Sequence, residues 1–217
     1  MNHHTFIKQS ENQCVFCQPM QELVLESTPH FQLIFDPFAL VPGHLLITSK
    51  NHYGCLGEVP RELQQECDDL RKRASDLLEE SFEQPVFRYE HGRAGHCIAN
   101  GVSSRSCHHY HEHLLPADIS LQAVMEKRFK GIRVQDSEEI CDLFDRYDEY
   151  LLVDEPSSGP LFYIASSDDV EPHLLRTLVS QQLLCPDRAD WENYTSLDLF
   201  LEGREILLNS GNRKSVA

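Results

Sequence analysis

Apolar residues along the chain fall first into short blocks bounded by turn residues. Glu22–Leu25, Phe31–Phe35 and His44–Thr48 read as strands, and Pro29, Pro37 and the Pro42–Gly43 pair separate them as turns. A helical period then follows. After Pro60, the residues Leu63, Cys67, Leu70, Leu77 and Leu78 recur at helical spacing, with proline at a position where a helix tolerates it. Two more strands follow, Pro85–Glu90 and His109–Leu115, the second stopped by Pro116. Strand, strand, strand, helix, strand, strand predicts an antiparallel sheet with a packed helix, an α+β design.

The rest of the chain has its own signals. Ser137–Tyr147 places Ile140, Leu143, Phe144 and Tyr147 on one helical face. Tyr150–Val153 and Leu161–Ala165 bracket Pro156, Ser157, Ser158 and Gly159, a hairpin signal. Pro172 opens a further helix carrying Leu174, Leu175, Leu178, Val179 and Leu183. No internal repeat and no linker rich in glycine, serine or proline is visible. The expected division is a core over residues 1–118 and a C-terminal α+β extension over 119–217 that packs on it.

Composition narrows the function. The 217 residues carry a net charge of −16, and both parts of the chain are acidic. That excludes broad binding to nucleic-acid backbones, which needs clustered cations. The one cationic cluster, Lys127, Arg128, Lys130 and Arg133, follows the histidine-rich strand closely, within reach of a polyphosphate bound there. A solvated face is its plainer reading. No apolar run is long enough to span a bilayer, and the first residues lack the apolar core of a signal peptide, so the expectation is a cytoplasmic protein. Eight cysteines in a chain of this length read as free thiols or metal ligands rather than a disulfide scaffold.

His109, His111 and His113 alternate along one strand and so share one face. Three imidazoles in a row need partners. They can bind a metal, or they can hold a polyanion and supply a nucleophile, since neutral imidazole is nucleophilic and leaves well once phosphorylated. The array His109-Tyr110-His111-Glu112-His113-Leu114-Leu115 resembles the signature of the histidine-triad (HIT) family. Upstream, Val41-Pro42-Gly43-His44 with Lys50-Asn51-His52 is similar to that family's Pro-Gly-His strand, and Tyr89-Glu90-His91-Gly92 to the strand end before its phosphate loop. Cys14-Val15-Phe16-Cys17 resembles the Cys-x-x-Cys of zinc-carrying members. The resemblance covers about residues 14–118.

It implies a nucleotidyl hydrolase or transferase acting at an α-phosphate, on a dinucleoside polyphosphate or nucleoside phosphoramidate. By resemblance, His111 is the nucleophile that forms a nucleotidyl-histidine. His113 contacts the phosphate, His44 orients a ring, and Ser106 donates to the phosphate or leaving group. Asp36 stands where the family binds ribose hydroxyls, and also reads as a turn residue before Pro37. The same resemblance makes Cys14, Cys17, His52 and His109 a structural zinc site. It also implies a core that pairs with a second copy, the extension either building that homodimer or replacing it.

Two residues depart from the pattern. Glu112 replaces an apolar residue on the strand's other face and needs a partner there, for which Arg176 or Arg133 is a candidate. Glu90 replaces an amide near the phosphate, where a carboxylate would repel substrate unless protonated or paired. These keep a second class open, a HIT-like nucleotide- or metal-binding module with little turnover. A third is a metal carrier using the triad as ligands. Trp191, the only tryptophan, could stack on a base and reads more plainly as core, and Arg176 could reach a phosphate and reads more plainly as capping a helix face.

Overall fold

The computed structural model of the chain describes residues 14–95, 108–191, 193, 194 and 196–214. Eight strands form one antiparallel sheet: β1 (Val24–Ser27), β2 (Phe31–Phe35), β3 (Leu45–Ser49), β4 (Val86–Gly92), β5 (His111–Pro116), β6 (Lys130–Arg133), β7 (Tyr150–Glu155) and β8 (Gly159–Ile164). Their spatial order is β1-β2-β3-β5-β4-β7-β8-β6. The helices are α1 (Arg61–Phe82), α2 (Gln122–Met125), α3 (Ser137–Tyr147), α4 (Leu174–Gln182) and α5 (Leu197–Lys214). The fold is α+β, as the order of strands and helix predicts.

The long helix α1 buries Cys67, Leu70, Ala74 and Leu78, one side chain per turn, against one face of the sheet. Ile140 and Phe144 of α3 join the same cluster. On the other face Tyr89, Leu151, Val153, Leu161 and Tyr163 pack with Leu174, Leu175 and Val179 of α4. The sheet runs unbroken across residue 118, because β7 pairs with β4 over five residues, from Arg88–Asp154 to Gly92–Tyr150.

The strand order contains a repeat that the residues do not show. The unit β3–α1–β4–β5 lies in space as β3-β5-β4, and the unit β6–α3–β7–β8 lies as β6-β8-β7. Both helices cover the same face, and β4 meets β7 antiparallel. A local twofold axis between β4 and β7 therefore relates the two units. β8 stands where β5 stands, but carries Leu161 and Tyr163 in place of histidines. The repeat is one of topology and is not accompanied by a repeat in the sequence.

Three elements were not anticipated: α2, β6 and α5. β6 corrects the expectation for the cationic cluster. It is the far edge strand, four strand spacings from β5, or about 19 Å at ~4.8 Å per spacing. Arg128 pairs with Glu171 at 2.7 Å, and Arg133 bonds the Ser158 carbonyl. The cluster does not border the histidines. Among the described residues no helix is long and apolar enough to cross a membrane.

Candidate functional site

β5 begins at His111, two residues later than expected, with His109 on its approach. His111 and His113 face the α4 side of the sheet, and Glu112 between them faces α1. Strand pairing fixes the neighbours: His113 lies between Leu46 of β3 and Tyr89 of β4, and His111 opposite Thr48. The Tyr89 ring lies flat on His113, with centroids 4.2 Å apart and planes at 6°.

The hydrogen bonds fix where each proton sits. His111 Nδ1 is 2.7 Å from the His109 carbonyl oxygen. A carbonyl only accepts, so Nδ1 carries the proton and Nε2 the lone pair. The Leu40 N–H donates to His44 Nδ1 at 3.1 Å. His44 therefore has its proton on Nε2, which is 2.9 Å from His113 Nδ1. His113 accepts there and holds its own proton on Nε2. One ring thus presents a bare nitrogen and the next an N–H. Burial lowers the pKa of all three, His44 to about 4, so each is neutral at pH 7.

Asp36 sits at the end of this chain of rings. It is buried, and its Oδ1 accepts from the Phe38 N–H at 2.7 Å. Its Oδ2 lies 3.4 Å from His44 Nδ1 and 3.7 Å from the Arg176 guanidinium. Asp36, His44 and His113 could group around a metal, but the Arg176 cation beside the same oxygen disfavours one. Arg176, read from the sequence as a helix-face residue, is buried and lies beside Asp36, a pairing the sequence did not indicate. Trp191 is half-buried and lies against Phe38, with centroids 5.1 Å apart. Ser106 lies outside the described residues.

A second cluster joins the site from below. Cys14, Cys17, His52 and His109 each turn one donor atom to a common point, all within 4.8 Å of one another. His109 Nε2 donates to the Ser49 carbonyl at 2.7 Å, which leaves Nδ1 bare and facing the thiols. Nδ1 is 3.3 Å from Cys14 Sγ, 3.6 Å from Cys17 Sγ and 3.2 Å from His52 Nδ1. Tetrahedral zinc with bonds of about 2.1 Å to nitrogen and 2.3 Å to sulfur requires edges of about 3.3–3.8 Å, so the donor set fits. Between the two cysteines, Phe16 stacks on His111, with centroids 4.6 Å apart.

Both departing glutamates prove to lie behind the sheet. Glu112 is buried and bonded by Arg71 Nε at 2.8 Å and Arg88 at 3.1 Å, so its partners come from α1 and β4 and not from Arg176 or Arg133. Burial opposes its charge, but these two cations hold its carboxyl below the usual range. Glu90 accepts from the Leu56 N–H at 2.8 Å and bonds the Tyr150 hydroxyl at 2.9 Å, on the α1 face. It is not beside the histidines, and burial pushes its pKa up to about 8. The expected repulsion of a substrate phosphate does not arise.

Comparison with protein-family models finds no match, and a search of curated proteins finds none. Among solved structures, the chain is similar to a Hit-like protein involved in cell-cycle regulation from Bartonella henselae. Identity is 15%, coverage 43% of this chain and 65% of that one, and the TM-score 0.35. The chain thus spans about two-thirds of that relative's length. It is also similar to a hypothetical histidine triad nucleotide-binding protein from Sulfolobus tokodaii, with 18% identity, coverage of 61% and 87%, and a TM-score of 0.38. A third is the yeast Ap4A phosphorylase in complex with AMP, with 13% identity, coverage of 80% of each chain and a TM-score of 0.43.

Proposed function

We propose that the chain is a HIT-type nucleotidyl hydrolase or transferase in which His111 is the nucleophile. The observation that carries this is the hydrogen bonding of neighbouring rings: His111 Nδ1 on the His109 carbonyl and His113 Nδ1 on His44 Nε2, which leaves Nε2 bare on the one and protonated on the other. His111 Nε2 forms a bond to the α-phosphorus of a dinucleoside polyphosphate or nucleoside phosphoramidate. The bond from phosphorus to the leaving group breaks, and the bonding pair departs with that group. His113 Nε2–H donates to a non-bridging phosphate oxygen as charge grows on it. Water or another acceptor then attacks phosphorus, and the imidazole leaves.

Zinc held by Cys14, Cys17, His52 and His109 is part of this reading. Four protein ligands close the site, so the metal supplies fixed geometry to the segment carrying Phe16 and to His109. The units on the two sides of the local twofold axis support a reading in which residues 119–217 take the place of a second copy at the β4 edge. The binding-module alternative gains no support from Glu90 and Glu112, which both face α1.

The experiment is incubation with a panel of dinucleoside polyphosphates and nucleoside phosphoramidates, products being identified by mass. Release of a nucleoside monophosphate, or its transfer to an added acceptor, is expected. Tight nucleotide binding with no product would favour the binding module.

A further inference from the structure

We propose that Arg176 is a positioning residue for the histidine pair: by holding the charge of Asp36 it keeps His44 Nδ1 bare and both rings in the one arrangement that presents His113 Nε2–H. The inference rests on the reading of His111 and His113 as the groups that meet the phosphate.

Two neighbours make opposite demands on His44 Nδ1. The Leu40 N–H at 3.1 Å requires it bare. The Asp36 carboxylate at 3.4 Å favours a proton on it, making an ion pair. Both cannot be satisfied, and a third group decides. Arg176 places its guanidinium 3.7 Å from the same carboxylate oxygen. With that cation present, Asp36 has its counter-charge and Nδ1 stays bare for Leu40. A proton on Nδ1 would instead displace the Leu40 N–H and charge the ring whose Nε2–H bonds His113.

Arg176 is suited to this task because it is clamped. One terminal nitrogen donates to the Phe38 carbonyl at 2.6 Å and to the Arg188 carbonyl at 2.9 Å. Phe38 belongs to the turn that holds Asp36, and Arg188 to the segment after α4. The groups facing His44 and His113 can be named by element. They are Asp36 after β2, Tyr89 and His91 on β4, His111 on β5 and Arg176 on α4. Among the described residues Asp36 is the only anion so placed. For His44, burial lowers the pKa most, Asp36 acts upward and Arg176 acts downward. The C-terminal half thereby sets the proton state of rings carried by the N-terminal half.

The test is the NMR titration of the imidazole carbons in the full, metal-loaded chain, with His44 and His113 assigned by single substitutions. Arg176→Gln is expected to raise the titration midpoint of His44 or His113 by about one pH unit or more. Arg176→Lys should raise it less. The double variant Asp36→Asn/Arg176→Gln should return it to the wild-type position, because no carboxylate remains to be neutralised. Should Arg176→Gln not fold, Arg176→Lys and the charge-free double variant still decide. An unchanged midpoint in a folded Arg176→Gln, a rise in Arg176→Lys as large as that in Arg176→Gln, or a rise that persists in the double variant, would overturn the proposal. The acid limb of kcat/KM should move with the NMR midpoint. If the midpoint moves and no variant or wild type turns over any nucleotide, the enzymatic reading fails and the positioning role of Arg176 stands.

Discussion

Phe16 stacks on His111 with ring planes 17° apart, and it does so from between Cys14 and Cys17. Ring stacking leaves the in-plane lone pair on Nε2 open while blocking rotation of the imidazole. Phe16→Ala should therefore lower kcat by about tenfold, the scale expected when a nucleophile loses its orientation. Metal content should stay unchanged. Phe16→Leu should retain part of the activity. Steady-state kinetics beside metal analysis is the check, and full activity in Phe16→Ala would reject the role.

The same geometry revises what metal loss should do. Reading the sequence alone, a closed site costs stability when a ligand is lost and leaves chemistry alone. Here His109 turns Nδ1 to the cluster that could hold a metal and its backbone carbonyl to His111 Nδ1. Cys17→Ala should lose the one zinc per chain, lower the unfolding midpoint, and also lower kcat, because the anchor of His111 loosens. Purified wild-type protein that is folded and free of zinc would exclude the site.

Glu90 supplies a pH signature. Its folded pKa of about 8 lies above the usual 4.5 because it is buried. The folded state therefore holds a proton that the unfolded chain releases. The stabilisation is complete below about pH 4.5 and is lost as pH rises through 8. Glu90→Gln keeps the bonds to Leu56 and Tyr150 and removes the titration. The variant should gain roughly 1–3 kcal/mol on wild type between pH 5 and 9 in urea denaturation. A difference independent of pH would contradict this. On the acid side the sign reverses. His44 and His91, lowered by burial to about 4 and about 3, are stabilising above 6.5 and lose that contribution as pH falls towards those values.

Gly203 ties the last helix to the site. A Cβ there would lie 2.2 Å from the Gly43 backbone nitrogen, in the turn that presents His44. Backbone cannot yield as a flexible side chain does. Gly203→Ala should cost about 1–3 kcal/mol of stability by thermal unfolding, with reduced activity. An alanine variant as stable as wild type would show that α5 does not press on this turn.

The sequence carried much of the site and half of the fold. The bounds of β2 follow from an apolar run between turn residues, buried on both faces, and those of α3 from the helical spacing of its one buried face. β6 and α5 were missed for opposite reasons. β6 is a four-residue edge strand without alternation, and α5 exposes Leu197, Leu201 and Leu208 while burying Phe200 and Leu207, so its apolar pattern is blurred. Cys14, Cys17, His52 and His109, which the structure brings together, could be grouped in advance because the family resemblance joins their separate motifs. Arg176 could not, since its partner Asp36 is 140 positions away and nothing near Arg176 marks it as buried. The partners of Glu112 were misassigned for the same reason: register, not spacing, brings Arg88 beside it.

His111 carries the central claim, and turnover by His111→Ala beside wild type tests it most directly. A single covalent nucleophile works as an all-or-none unit, so the loss should be at least about 10³-fold, with nucleotide binding and fold retained. Turnover within tenfold of wild type in a folded His111→Ala would contradict the account.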